Sequence, residues 1–365
     1  MNSKGATSAD PPAPLGRASL VVRLALIGAI VGTIAASFAY CAGWLTPHAL
    51  TPATMIDAFE LANGRKSGFR RNHAKGVGVS GAFESNGAGV SLSKASVFQK
   101  GRVPVLGRFA LAGGQPYLPD VQGKVRSMAL LFELPDGEEW RTGMNDIPVF
   151  NVNTAQAFYE NLLASVPDPS TSKPDPQKIA RFLRENPASA KALQLIGAQP
   201  RSSGFENDTF NSLNAFRFVN EAGTSVFVRW SMVAVEPAKP PVDAALAARR
   251  NYLFDGLVAS IHQHPLQWHL VVTVAEPGDP TNDATLPWPA DRRRVDVGTL
   301  TIDRIESEAT SRARDVNFDP LVLPVGMTAS DDPLLSARSA AYSESFTRRE
   351  GEHKEPSAIS VAETR

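Results

Sequence analysis

The spacing of apolar and polar positions changes several times along this chain. From Leu24 to Leu45 no charged residue interrupts an apolar run of 22 positions, which is long enough to span a bilayer as a helix. Pro52–Asn63 then puts Met55, Phe59 and Ala62 at helical spacing with Ile56 beside them, and predicts a helix. Beyond it the period shortens. Val77–Phe83, Val103–Leu111, Ser127–Glu133 and Pro148–Val152 read as strands, separated by turn residues at Asn86-Gly87, Gly113-Gly114 and Pro135-Asp136-Gly137. Helical spacing returns over Ala155–Leu163 and Pro176–Leu195, the latter broken at Asn186-Pro187, and again over Asp243–Gln263. Ala215–Asn220, Ser225–Val235 and Trp268–Ala275 read as further strands. Strands in meander order, interrupted by long helical crossovers, predict an α+β fold. Its form is an antiparallel closed β-barrel with surrounding helices, preceded by one N-terminal transmembrane helix.

Arg17 and Arg23 lie on the N-terminal side of the apolar run, Asp57 and Glu60 on the far side. The positive-inside rule therefore expects residues 1–23, richest in Pro, Ser, Ala and Gly over their first part, as a disordered cytoplasmic N-terminus. Residues 24–45 are expected as a membrane anchor or uncleaved signal, 50–350 as the folded domain and 351–365 as a loose polar tail. This places the protein in the cell (inner) membrane as a single-pass chain, its domain on the periplasmic or extracytoplasmic side. The alternative is export as a soluble protein after signal cleavage. Phe38-Ala39-Tyr40 before Cys41 makes a poor lipoprotein site, because the residue preceding the cysteine should be small.

Lys plus Arg number 37 and Asp plus Glu 37, so net charge gives no reason to propose nucleic acid. Arg292-Arg293-Arg294 reads as a solvated turn. The single cysteine, Cys41, excludes an intrachain disulfide and any site built on several thiolates. His262, His264 and His269 are interleaved by Gln263 and Pro265 and read as structural or surface residues.

Chemistry concentrates in a few segments. Arg70-Arg71-Asn72-His73-Ala74-Lys75-Gly76-Val77-Gly78 sets a histidine ahead of two spaced glycines, which suit close approach to something flat or bulky, and two arginines upstream suit an acidic group. Gly107-Arg108-Phe109, Asn145-Asp146-Ile147-Pro148-Val149-Phe150, Phe318-Asp319-Pro320 and Arg338-Ser339-Ala340-Ala341-Tyr342 follow. The spacing of Arg338 and Tyr342 puts both side chains on one helix face. In this order the segments resemble the haem catalase family, and specifically its short catalase-related peroxidase branch. The match extends through Pro324, Ser330-Asp331 and Leu335, and through Trp288-Pro289, Val297-Gly298 and Leu300, over roughly residues 50 to 350.

The resemblance implies a haem cofactor, iron protoporphyrin of the b type. It carries over His73 as the distal acid–base, Asn145 as the polar group that orients peroxide, and Tyr342 as the axial ligand, with Arg338 beside it. Peroxide chemistry needs a base that takes a proton from one oxygen and returns it to the other, and a phenolate that pushes electron density to iron. Arg70, Arg108 and Arg349 match arginines that pair with the haem propionates, a role suited to guanidinium. Phe150 and Phe158 match aromatic residues of the distal pocket.

Four positions depart from the family. The chain ends soon after the axial helix, without the C-terminal helical region of large catalases and most of their nicotinamide dinucleotide site, which removes a reason to expect tight oligomer interlocking; a homo-oligomer stays open. Ala110 stands where catalases usually have a serine bonded to the catalytic histidine, Asn72 replaces a valine, and Phe346 replaces a histidine. A more polar distal side would favour peroxidase turnover over dismutation. The expected activity is reduction of hydrogen peroxide or organic hydroperoxides by a small organic electron donor. The same architecture also serves hydroperoxide isomerases of the allene oxide synthase type. A low-turnover haem-binding protein would need only the proximal ligand, whereas this chain has both His73 and Asn145.

Overall fold

A computed structural model of the chain describes residues 16–41, 45 and 50–361. Residues 1–15 of the stretch expected to be disordered lie outside these residues, as do the positions around Trp44 and residues 362–365, whereas its residues 17–23 are helical. The chain divides into two units, Met1–Thr51 and Pro52–Arg365. In the first, helix α1 (Arg17–Cys41) is long and apolar enough to cross a membrane by length and composition. It starts earlier than the apolar run and takes Arg17 and Arg23 into its first turns. Thr33 and Ser37 turn their hydroxyls back onto the carbonyls of Ala29 and Thr33, each at 2.8 Å, so neither presents a free hydroxyl on the apolar surface.

The second unit begins with α2 (Pro52–Asn63), followed by β1 (Lys75–Ser85), β2 (Gly101–Leu111), β3 (Arg126–Glu133) and β4 (Glu139–Asn145). Three helices intervene, α3 (Ala155–Ala164), α4 (Pro176–Glu185) and α5 (Pro187–Ala198). Then come β5 (Phe210–Asn211), β6 (Phe216–Val219), β7 (Ser225–Ala234), α6 (Ala244–Ala247), α7 (Tyr252–Gln263), β8 (Leu266–Val274), β9 (Arg294–Glu306), β10 (Met327–Ala329) and α8 (Pro333–Glu350). Eight strands close a ring in the order β7-β5-β4-β3-β2-β1-β9-β8, sealed by the β7–β8 pairing. Every pairing is antiparallel, and closure removes the free edges that an open sheet would expose. On one edge β7 gives Ser231 and Met232 to β5 and Ser225–Val228 to β6, which with β10 forms a flap off the ring.

Alternation fills the barrel. Along β8, Leu266, Trp268, Leu270, Val272 and Val274 are buried, and they meet Phe83, Phe109, Phe132, Trp140 and Trp230 in one apolar core. Phe132 stacks on Trp140 at 4.6 Å between centroids. Trp230 and Trp268 place their indole N–H on Thr142 Oγ1 and the Asp208 carbonyl, both at 3.1 Å, so burial leaves neither donor unpaired. Outside the barrel, α2 packs against α3 and α8.

Four expectations need correction here. Pro148–Val152 is not a strand: Pro148 has no N–H for a ladder, and the Phe150 N–H donates to the Ala284 carbonyl at 2.8 Å. Asp243–Gln263 is two helices, because tertiary partners claim the backbone between them. The Arg250 carbonyl accepts from Asp120 N–H and from Lys75 Nζ, and Asn251 Oδ1 also takes Lys75 Nζ. Residues 351–361 are not loose: Ile359 is buried, its carbonyl accepts from Ser307, and Glu352 bonds Arg71, Arg65 and the Gly68 N–H. Arg292, read as solvated, grips Asp279 with Nε at 2.7 Å and Nη2 at 2.9 Å.

Candidate active site

His73 stands just ahead of β1 with a left-handed backbone, φ 55°, which a non-glycine residue holds only when its surroundings brace it. Asn72 supplies the brace. Its Oδ1 accepts from the His73 N–H at 3.0 Å and from the Gly113 N–H at 2.7 Å, while the Ala74 N–H donates to the Gly113 carbonyl at 2.9 Å. The Asn72 side-chain oxygen is thus committed to the turn, while the residue also lines the cleft. Gly76 and Gly78 have a similar reinterpretation. Both are in β1, where a Cβ at 76 would lie 2.2 Å from Arg108 Nη2 and one at 78 would lie 2.2 Å from Ser311 Oγ. They make room for Arg108 and for the Ser311 loop.

The His73 imidazole is half-buried and sits with Nδ1 3.0 Å from Ser127 Oγ. The Ser127 hydroxyl donates to Asn145 Oδ1 at 2.5 Å. Ser127 is register partner of Ala110 across β2–β3 and of Asn145 across β3–β4. The hydroxyl missing at Ala110 is therefore present one strand over, a residue the sequence reading passed by as an ordinary strand start. Burial, and then the charges of Arg108, Arg338 and Arg70, push the His73 pKa down to about 3. The imidazole is neutral at physiological pH and free to accept a proton.

A basic basin lies alongside. Arg70 donates through Nη2 to the carbonyls of Ala313, Arg314 and Val316, and its guanidinium is 5.4 Å from the centre of the Phe318 ring. Arg108 Nε meets Glu308 Oε1 at 2.7 Å, and Arg349 donates to the Arg314 carbonyl. Burial, reinforced by Arg349 and Arg108, holds Arg70 well below the ordinary arginine range. Three arginines against the one carboxylate of Glu308 leave a net charge of +2 (3 − 1) in this cluster. Arg70 Nε and Arg108 Nη2 are buried donors with no partner among the described residues, an arrangement that an anionic ligand would relieve.

On α8 the Arg338 guanidinium carbon lies 5.9 Å from the centre of the Tyr342 ring. Arg338 donates to Asn214 Oδ1, and Asn214 passes Nδ2 to Asp332 Oδ2 at 2.7 Å. Asp332 in turn caps α8 by accepting the Leu334 N–H, so the same carboxylate starts the helix and anchors the arginine relay. Asp319 Oδ2 accepts from Ser339 at 2.7 Å and fixes the Phe318-Asp319-Pro320 loop to α8. Asn214, Asp332 and Glu308 carry no local sequence signal and emerge only from the packing.

Phe150 and Phe158 stack at 5.9 Å, and Phe158 also meets Phe59 of α2 at 5.5 Å. Phe346 lies under the Arg349 guanidinium at 5.3 Å. All nine residues predicted for the site, His73, Asn145, Arg70, Arg108, Phe150, Phe158, Arg338, Tyr342 and Arg349, line one cleft enclosing about 1180 Å³ of space, part of it open to solvent. His262, His264 and His269, expected as structural or surface residues, do not; His269 pairs with Asp296 at 3.1 Å. Apolar and aromatic walls, a tyrosine, and a doubly positive basin with unpaired donors fit a flat, dianionic tetrapyrrole such as haem.

The chain resembles known proteins over most of its length. The sequence model of the family described as catalase matches residues 38–361. The chain is 34% identical over 331 residues to a protein of Synechococcus elongatus named catalase-related peroxidase, covering 90% of this chain and 96% of that one. It is 32% identical to a catalase-related peroxidase of Mycolicibacterium paratuberculosis, covering 83% and 96%. Among solved structures a fungal catalase superposes with a TM-score of 0.71 at 20% identity, covering 79% of this chain and 60% of that one. Catalase A of Saccharomyces cerevisiae gives 0.70 at 20% identity, covering 78% and 61%. The chain thus spans about 60% of the length of these solved catalases, whose likeness concerns the fold. The barrel, the cleft residues and the matched length lead to one assignment: the chain belongs to the catalase family.

Proposed function

We propose that the chain is a haem-dependent peroxidase that reduces hydrogen peroxide or an organic hydroperoxide at the expense of a small organic electron donor. Haem of the b type would supply redox-active iron to this cleft when bound. Arg70, Arg108 and Arg349 would hold its two propionates, and Tyr342 would ligate the iron, with Arg338 keeping positive charge beside the phenolate. His73 takes a proton from the incoming peroxide at its free ring nitrogen, Nε2, and returns it to the departing oxygen, which leaves as water. Asn145 orients the peroxide from its amide, while Phe150 and Phe158 keep bulk water from the pocket.

The reading is carried by one observation. A half-buried neutral imidazole and a tyrosine with Arg338 beside it share a cleft with a doubly positive arginine cluster in which two donors, Arg70 Nε and Arg108 Nη2, are unpaired among the described residues. The short, peroxidase side of the family is supported by two relatives named catalase-related peroxidases, each covered over 96% of its length. Oxygen release from hydrogen peroxide should be measured beside oxidation of an aromatic donor. Donor oxidation is the expected dominant reaction, and vigorous oxygen evolution with little donor oxidation would refute it.

We also propose that α1 anchors the protein in the cell membrane with the catalytic unit on the extracytoplasmic side. Support comes from its length, its apolar surface and the arginines confined to its N-terminal end. Protease accessibility in spheroplasts tests the orientation: the catalytic unit should be degraded from outside, and protection would reverse the assignment.

A further inference from the structure

We infer that Ser127 is a positioning residue whose single hydroxyl sets both distal groups, holding His73 as the tautomer protonated at Nδ1 and fixing which end of the Asn145 amide faces the cleft. This deepens the peroxidase reading and rests on it for its functional meaning. The argument is a proton count. A serine hydroxyl has one hydrogen and two lone pairs. Ser127 donates that hydrogen to Asn145 Oδ1 at 2.5 Å, and an amide oxygen has none to give back. The His73 contact at 3.0 Å therefore needs its hydrogen from the imidazole, so Nδ1 carries the proton and Nε2 is left bare. With Oδ1 engaged, Asn145 has its NH2 group available as a donor to whatever lies in the cleft.

The frame that holds Ser127 and Asn145 opposite each other is stiff. The two are register partners at the ends of β3 and β4. One residue along, the Asp146 N–H donates to the Arg126 carbonyl and the Arg126 N–H donates to Asp146 Oδ1, both at 2.9 Å. The Arg126 guanidinium is held in turn by Asp208 at 2.7 Å. Position 110, where the resemblance would put the histidine-binding serine, is the register partner of Ser127 on its other side. The hydroxyl has moved one strand along the barrel wall, and the move brings Asn145 within its reach.

The test reads the tautomer directly. Nitrogen NMR of the full chain with labelled histidine, His73 assigned by difference against His73→Gln, should show Nδ1 protonated and Nε2 unprotonated, with and without bound zinc protoporphyrin. Ser127→Ala should give a mixed tautomer, and Ala110→Ser in the Ser127→Ala background should restore it. Asn145→Asp, which keeps an acceptor for Ser127, should preserve the pattern, whereas Asn145→Ala should mix it. In the ferric haem protein, cyanide association, which needs a base for the proton of hydrogen cyanide, should slow about five- to tenfold in Ser127→Ala, the population factor of one hydrogen bond, and recover in the double variant. A wild-type His73 protonated at Nε2, or an unchanged tautomer in Ser127→Ala, would overturn the inference. Failure of zinc protoporphyrin to bind would instead count against the haem reading, and the tautomer pattern would still decide the role of Ser127.

Discussion

Replacing Arg349 by methionine should stabilise the haem-free protein while weakening its grip on haem. Arg349 is 4% exposed, and burial followed by the charge of Arg108 lowers its pKa to about 10. Against the ordinary arginine value of roughly 12.5, that drop corresponds to roughly 3 kcal/mol carried by the charged side chain in the unliganded fold. Arginine is a base with a depressed pKa in the folded state. The unfolded chain therefore binds the extra proton only between the two values, and stability is recovered only as pH rises from about 10 toward the free-arginine value. At neutral pH the whole penalty is present. Methionine removes it but gives up the bond to the Arg314 carbonyl, about 1 kcal/mol, and the contact over Phe346, about 0.5–1 kcal/mol. The net gain is about 1–2 kcal/mol in urea unfolding of the haem-free chain. Loss of a charge-assisted bond to a propionate works the other way, by about 1.5–3 kcal/mol, or roughly 10- to 150-fold in haem affinity. Absorbance titration with haem reads the second quantity. A variant that is less stable without haem and binds haem unchanged would refute the assignment of this basin.

Three further outcomes are expected. Because the His73 pKa is held at about 3 against an ordinary value of roughly 6.5, the unfolded state takes up a proton that the fold refuses as pH falls below neutrality. Stability should therefore drop by up to about 2 kcal/mol between pH 6.5 and 5, and His73→Gln should flatten that dependence in urea titrations, keep haem and lose turnover. Gly76→Ala drives a Cβ to 2.2 Å from Arg108 Nη2 and 2.7 Å from the Phe109 carbonyl, so it should cost about 1–3 kcal/mol in thermal unfolding and lower haem loading; wild-type values in both would show that the close approach is illusory. Asn72→Val removes the acceptor for two backbone N–H groups at the left-handed His73 turn and should destabilise the fold by about 1–3 kcal/mol, although valine is the residue the family resemblance would place there.

How far the sequence reached can be judged from particular residues. Helix spacing located α2 and α3, and the Asn186-Pro187 break separates α4 from α5, because proline chemistry is local. The break between α6 and α7 was invisible because its cause, Lys75, is almost two hundred residues away in the chain. The nine cleft residues were legible because each sits in a short segment with a recognisable neighbourhood. Ser127 was not, since a serine at a strand start is unremarkable until strand register places it between His73 and Asn145. Asn72 was noticed for the wrong reason: the sequence gives its polarity, whereas only the backbone angle at His73 reveals what that polarity holds.

The central claim is that this cleft binds haem on Tyr342, facing His73. The most direct measurement is the absorption spectrum of the purified wild-type protein titrated with haem, beside Tyr342→Phe. Stoichiometric binding with a tyrosinate-ligated ferric spectrum that Tyr342→Phe abolishes is the expected result. An absence of stoichiometric binding, or an identical spectrum in Tyr342→Phe, would contradict the account.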